Sequence, residues 1–149
     1  MLCELMKSNA QQVEYINFNA AGLSNSFGIY IRGCLKESQP YCYEAKRRLF
    51  ICLDYVNHYL DEEKLVAVYI DIYDLENAKN LAFQAMNADL RSGLIEKVLF
   101  ADLEEIFKDS VLNNNILDLI EGVEGIEFFD VNGNIFEARK ILVSQSLGV

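Results

Sequence analysis

Residues 65–71 read Leu-Val-Ala-Val-Tyr-Ile-Asp, an apolar run that offers no polar face to solvent. A strand that is apolar on both sides is typical of a parallel sheet covered by helices on both faces. Three further runs have the same character: residues 27–32 (FGIYIR), 95–101 (IEKVLFA) and 125–130 (GIEFFD). Together the four runs predict the buried strands of an α/β sheet.

The segments between these strands have helical periodicity and predict helices at residues 40–60, 75–92, 103–108 and 110–121. Ser38 and Asp74 precede the first two and are the predicted N-caps. Strands that alternate with helices form β-α-β units, so we expect a mostly parallel sheet of four or five strands with helices on both faces. The expected arrangement is three-layered and flavodoxin-like, with strand order 2-1-3-4-5. The predicted core comprises Ile29, Ile31, Val66, Val68, Ile70, Val98, Leu99, Ile126 and Phe128.

The two ends of the chain differ from this regular middle. Residues 1–26 are polar and rich in Asn, Gln and Ser, and they predict an extension with one short strand at residues 13–18. Residues 27–149 form the predicted domain. Within it, residues 136–147 place Phe136, Val143 and Leu147 on one helical face, which favours a helix over a strand there.

Composition limits the function. The chain has 149 residues and a net charge of −10, with 23 acidic and 13 basic residues, and such an acidic surface argues against binding to DNA or RNA. No apolar run is long enough to span a membrane and the N-terminus lacks a secretory pattern, so we expect a cytoplasmic protein. The cysteines Cys3, Cys34, Cys42 and Cys52 form no metal-binding spacing with the single His58, and we expect neither a metal nor a cofactor.

The loops after the first and third strands carry the chemistry of interest, because α/β sheets bind ligands at the carboxyl ends of their strands. Residues 30–36 read Tyr-Ile-Arg-Gly-Cys-Leu-Lys, which is neither a dinucleotide-binding nor a Walker loop. Residues 101–108 read Ala-Asp-Leu-Glu-Glu-Ile-Phe-Lys.

Taken together, these loops and the order of elements over residues 27–139 resemble the catalytic domain of the serine site-specific recombinases, the resolvase and invertase family. The resemblance implies that Arg32 and Cys34 stand in the family's Tyr-x-Arg-x-Ser motif. It also implies that Glu104 and Lys108 stand in its Leu-Asp-Arg-Leu-x-Arg motif. These four residues are the candidate catalytic positions.

The departures from the family motifs argue against strand exchange. Cys34 replaces the nucleophilic serine, Glu104 replaces an aspartate, and Glu105 and Lys108 replace arginines. Arginine is used at phosphoryl sites because its rigid fork binds two oxygens at once. An acid in its place repels phosphate by about 3–4 kcal/mol at 4–6 Å and an effective dielectric constant near 20. We therefore expect an inactive, degenerate member of the family.

Structural roles remain open for the same residues. Arg32 can pair with Asp71 or Glu104, and Cys34 can be an ordinary loop thiol. The pair Glu104 and Glu105 also suits the first turn of a helix. The basic run at residues 46–48 is expected mainly to solvate the first helix.

Three functions are therefore carried forward. The first is a catalytically inactive interaction or regulatory module, and the second is a working recombinase fragment that binds DNA or a partner recombinase. The third is a small α/β ligand-binding domain whose likeness to the family is only topological. The resemblance also implies a homodimer formed through residues that follow the sheet, since the family dimerises in that way.

Overall fold

The computed structural model describes residues 12–74 and 80–137. In these residues a single sheet is formed by six strands: β1 (Gln12–Tyr15), β2 (Phe27–Cys34), β3 (Leu65–Tyr73), β4 (Lys97–Phe100), β5 (Glu127–Asp130) and β6 (Ile135–Glu137). The helices of the same residues are α1 (Tyr43–Tyr59), α2 (Leu81–Arg91), α3 (Leu103–Lys108) and α4 (Ser110–Gly122). The α/β class is thus confirmed.

The strands lie in the order β1-β3-β2-β4-β5-β6. The four central strands are parallel, and their order is the predicted one. The two edge strands are antiparallel to their neighbours, so the sheet is mixed and has more strands than expected. The short strand predicted near residues 13–18 is confirmed as β1, and its ladder continues where the Ile16 amide donates to the Val66 carbonyl oxygen at 2.7 Å.

Apolar side chains form a core on each face of the sheet. One core contains α2, α3 and α4 against side chains such as Tyr30 and Phe128, and the other contains α1 against side chains such as Ile29 and Val68. Every residue of the predicted core is buried. Strand positions that alternate between two covered faces explain why these runs are apolar throughout.

The predicted N-cap of the first helix is wrong, whereas the cap predicted at Asp74 stays a prediction. α1 begins at Tyr43, where the thiol of Cys42 accepts the Ala45 amide at 3.4 Å, while Ser38 lies in the preceding loop with a φ of +66°. α2, as described, begins at Leu81, and its first amides are bound by a residue other than Asp74, as shown below. Residues 75–79, which the sequence assigns to the same helix, lie outside the described residues.

The prediction of a helix that begins at Phe136 is wrong, because Phe136 lies in a strand. The Asn132-Gly133 turn leads into β6, which contains Phe136 and pairs with β5. The Phe136 ring contacts the Phe107 ring with 4.9 Å between centroids, so this side chain packs within the domain. Lys140, Val143 and Leu147 lie outside the described residues.

Candidate functional site

The candidate site is the edge of the sheet where β2 ends at Cys34 and β3 ends at Tyr73. The loop after β2 leads into α1, and α3 begins directly after β4, so the two family-like motifs meet at this edge. We call it the carboxyl edge.

Arg32 is held at this edge by polar and aromatic side chains. Its Nη1 donates to Asn80 Oδ1 at 2.7 Å, and its guanidinium lies 4.6 Å from the centroid of the Tyr73 ring. Its Nη2 lies 3.9 Å from Asp109 Oδ2, and only 12% of the side chain is exposed. The arginine expected to face a phosphate is therefore already engaged by this subunit, with Asp109 as its ion-pair partner instead of Glu104.

Asp71, at the end of β3, caps α2 from inside the protein. Its carboxylate accepts the amides of Ala82 and Phe83 at 2.8 and 2.9 Å, and the Tyr30 hydroxyl donates to it at 2.7 Å. Burial raises the pKa of the Asp71 carboxyl, while these hydrogen bonds and the charge of Arg32 act in the opposite direction. Burial also raises the pKa of Tyr30 well above its usual range. Tyr30, a match to the family motif, thus serves a helix cap here.

Asp130, at the end of β5, has a similar role for α3. One of its oxygens accepts the Leu103 amide at 2.9 Å, and the other accepts the amides of Asn132 and Asn134 at 3.0 and 2.9 Å. The carboxylate is buried. The strand-end carboxylates of β3 and β5 therefore hold the backbone amides of the segments that follow.

Arg48 is the residue of this edge that the sequence analysis missed. Its Nη1 donates to the Arg32 carbonyl oxygen at 2.7 Å and to Glu44 Oε1 at 2.9 Å, and its Nη2 pairs with Glu105. The expectation that the basic run solvates α1 is wrong for Arg48, of which only 16% is exposed. The available signal was its spacing of four residues from Glu44 on a helix.

Glu105 reverses the charge that the resemblance implies at its position. The family motif has an arginine there, whereas this chain has a carboxylate that neutralises Arg48. Glu104 and Lys108 are exposed, and the Glu104 amide donates to the Asp102 carboxylate at 3.0 Å, so the first turn of α3 is capped by Asp102. Acids in this first turn also suit the helix dipole.

Cys34 lies in a tightly packed loop. Its amide is 3.4 Å from Glu44 Oε1, and its carbonyl oxygen accepts the Cys42 thiol at 3.3 Å. The Cys34 sulfur is half-buried, 4.0 Å from the Leu35 carbonyl oxygen. The groups in contact with Cys34 include a carboxylate, a thiol and a carbonyl, none of which attracts phosphate, and the nearby Arg48 guanidinium is bound by the same Glu44 carboxylate.

One cavity lined by described residues lies at the carboxyl edge, and it is very small. Its volume is about 20 Å³, and its described lining includes Arg32, Arg48, Asp102 and Glu105. Such a volume holds about one water molecule. Arg32 lines this cavity. The other three candidate catalytic residues, Cys34, Glu104 and Lys108, are not among its described lining residues.

The cysteine and histidine residues of the described part of the chain form no metal site. Cys34, Cys42 and Cys52 are free thiols, and Cys3 lies outside the described residues. His58 is exposed on α1, where its Nδ1 lies 3.4 Å from Asp54 Oδ1. Across residues 12–74 and 80–137, no three His, Cys, Asp or Glu side chains are grouped so as to hold a metal ion.

Comparisons with known proteins give no family for this chain. Neither the models of protein families, nor the curated proteins, nor the solved structures yielded a significant match. Within the described part of the chain, no helix is both long and apolar enough to cross a bilayer.

Proposed function

We propose that this chain is a resolvase-like α/β domain that does not exchange DNA strands and acts instead by binding another protein. The flavodoxin-like arrangement and the family membership are both parts of this proposal. The order of the four parallel strands and the positions of Tyr30 and Arg32 at the end of β2 support them.

One observation carries the proposal: the arginines of the carboxyl edge are neutralised within the subunit. Arg32 faces Asp109, and Arg48 faces Glu44 and Glu105. A phosphodiester would have to displace these carboxylates and enter a cavity of about 20 Å³. Strand exchange depends on cations that are free to stabilise charge on phosphorus, so the edge is unsuited to it.

The test is the formation of a covalent adduct with DNA. The protein is incubated with end-labelled and supercoiled DNA, denatured in detergent, and separated on a gel beside its Cys34→Ala variant. We expect no adduct and no nicking. An adduct that forms with the unchanged protein and is lost in Cys34→Ala would refute the proposal.

A second variant tests whether the departures from the family motif at Glu104, Glu105 and Lys108 cause the expected inactivity. Glu104→Asp, Glu105→Arg and Lys108→Arg restore the charge pattern that the resemblance implies. We expect the restored variant to bind labelled DNA more tightly than the unchanged protein at low salt, because Glu105→Arg replaces an acid by a cation at the edge. Equal binding by both proteins would remove Glu105 as the reason for inactivity.

Homodimerisation is proposed on the family resemblance and on the apolar residues near the end of the sequence. Light scattering at micromolar concentration is expected to give the mass of two chains. The double variant Val143→Asp, Leu147→Asp is expected to give the mass of one, with its circular dichroism unchanged. A mass of one chain for the unchanged protein would remove the dimer.

A further inference from the structure

A wide groove runs between α1 and the β1–β3 edge of the sheet. Its volume is about 880 Å³, and Phe50 and Leu53 of α1 line it on one side, with Ile16 and Leu65 on the other. We call it the α1–β3 groove. This volume lies at the upper end of the range for small-ligand pockets and suits side chains presented by a peptide segment.

Large apolar side chains at the groove are exposed. Phe50, on α1, is 57% exposed, and Ile16, directly after β1, is 42% exposed. Leu65, in contrast, is buried at the base of the groove. An exposed apolar surface around a recess is typical of a surface that binds another protein.

The wall opposite α1 is fixed by hydrogen bonds. The Asn17 side-chain amide donates to the carbonyl oxygens of Glu62 and Leu65 at 3.0 and 3.1 Å. The Ile16 amide extends the β1–β3 ladder by donating to the Val66 carbonyl oxygen. The groove is therefore formed before any partner arrives, which lowers the entropic cost of binding.

The rim of the groove is acidic. Its described lining includes Asp54, Glu62 and Glu63 but no Lys or Arg. The Lys46 ammonium lies 5.8 Å from the centroid of the Phe50 ring, and His58 Nδ1 lies 3.4 Å from Asp54 Oδ1. The whole chain carries a charge of −10. At this groove the acidic field opposes the same acidic face of a second copy and favours a partner rich in Lys or Arg.

We propose that the α1–β3 groove binds a basic amphipathic segment of a partner protein. Apolar side chains of that segment contact Phe50, Leu53 and Ile16, and its Lys or Arg side chains pair with Glu62 and Glu63 at the rim. This inference rests on the proposed function, because it names the class of partner for a domain whose carboxyl edge is closed.

The experiment uses the full chain and two labelled synthetic helical peptides of about 18 residues. One peptide alternates Leu and Lys at helical spacing, and the other has Glu in place of Lys. Binding is measured by fluorescence anisotropy at about 0.15 M salt. We expect the Leu/Lys peptide to bind and the Leu/Glu peptide not to bind. Equal binding of the two peptides, or binding of neither, would overturn the inference.

A pair of charge-matched variants locates the binding surface. Glu62→Lys with Glu63→Lys reverses the rim, and Asp118→Lys with Glu121→Lys makes the same change of net charge on exposed positions of α4. The rim variant is expected to weaken binding about tenfold, and the α4 variant less than about twofold. Equal weakening would show general attraction to an acidic protein and would overturn the inference.

Two further measurements separate the remaining outcomes. Binding that requires removal of residues 1–11 would assign the groove to the chain's own N-terminal segment and overturn the inference. The DNA adduct assay judges the proposed function independently. A protein that forms no adduct and binds no basic peptide removes this inference alone, whereas an adduct removes the proposed function whatever the peptide does.

Discussion

The carboxyl edge and the α1–β3 groove lie on the same sheet but use their polar and apolar groups in opposite ways. At the carboxyl edge, Arg32 and Arg48 face carboxylates of the same subunit around a cavity of about 20 Å³. At the groove, Phe50 and Ile16 are exposed around a recess of about 880 Å³. The comparison teaches that the polar groups at the strand ends can satisfy one another within the protein while an apolar recess stays open elsewhere.

This comparison predicts that substitutions at the carboxyl edge mainly cost stability, whereas substitutions at the groove mainly cost binding. Buried polar groups that satisfy one another become expensive when a partner is removed. Exposed apolar side chains have few contacts to lose.

Among the substitutions at the carboxyl edge, Asp71→Ala is expected to have the largest effect. The change leaves the Tyr30 hydroxyl and the amides of Ala82 and Phe83 without their acceptor inside the protein, so we expect a loss of about 3 kcal/mol in unfolding free energy. Urea denaturation followed by circular dichroism measures it. Asp118→Ala, at an exposed position of α4, is the control and is expected to change stability by less than about 0.5 kcal/mol. Similar losses in both variants would contradict the assigned cap.

Gly33→Ala tests the close packing of the Cys34 loop on α1. A Cβ at Gly33 would lie 2.8 Å from the Ala45 amide nitrogen and 2.8 Å from Cys42 Sγ, and we expect a loss of about 2 kcal/mol. Gly122→Ala is the matched control, because a Cβ there meets only the Arg91 guanidinium at 3.7 Å and adds helix propensity. The control is expected to gain about 0.5 kcal/mol. Two variants of equal stability would show that the loop is loosely packed.

Cys52 gives a pH test of the buried face of α1. Burial raises the pKa of the Cys52 thiol to about 12, and the negative charge of Asp130 acts in the same direction. The unfolded chain releases this proton near pH 8.5–9. The contribution of the buried thiol to the unfolding free energy is therefore complete below that pH and is lost as pH rises toward 12.

The unfolding free energy of the unchanged protein should therefore fall faster with pH than that of Cys52→Ala. The difference is expected to be about 1.4 kcal/mol per pH unit between roughly pH 9.5 and 10.5. Because the other titrating groups are common to both proteins, they cancel in this comparison. Parallel pH profiles would mean that the thiol is accessible to water in the folded state.

The sequence predicted the sheet well because the information is local. Residues 65–71 are apolar at every position but the last, and this pattern alone implies burial on both faces. The edge strands were harder, since β6 has three residues and its pairing depends on the turn before it. A segment that short carries too few residues to distinguish a strand from the first turn of a helix.

The caps and the site depended on distant contacts. Asp74 is closer in sequence to α2 than Asp71, but Asp71 reaches the helix because the end of β3 points at its first amides. The interactions of Arg48 required knowing that Arg48 of α1 and Glu105 of α3 meet at one edge, although the two helices cover opposite faces of the sheet. The groove has no local signal, because its walls join Ile16, Phe50 and Leu65 from three parts of the chain.

The Arg48–Glu105 pair offers a smaller test of how the carboxyl edge is closed. A double-mutant cycle with Arg48→Ala and Glu105→Ala is expected to give a coupling of about 0.5 kcal/mol, because 46% of the Glu105 side chain is exposed and water screens the pair. The coupling should shrink in 1 M salt. A coupling above about 2 kcal/mol would mean that the pair is shielded from solvent and that the edge is held shut more firmly than its exposure implies.

Phe50→Ala is expected to have the smallest effect on stability, and it probes the other side of the comparison. The ring is 57% exposed, so its loss should change the unfolding free energy by less than about 0.5 kcal/mol. Its neighbour Leu49 is 2% exposed in the core under α1, and Leu49→Ala is expected to lose about 2–5 kcal/mol in the same urea experiment.

The same Phe50→Ala protein should bind the Leu/Lys peptide at least about fivefold more weakly, because an aromatic anchor at an interface contributes well over its share of binding energy. A stable variant with weakened binding would show that the exposed ring serves a partner. A variant that loses several kcal/mol of unfolding free energy would show that Phe50 belongs to the core. Substitution at the groove would then cost stability, as it does at the carboxyl edge, and the contrast between the two regions would be wrong.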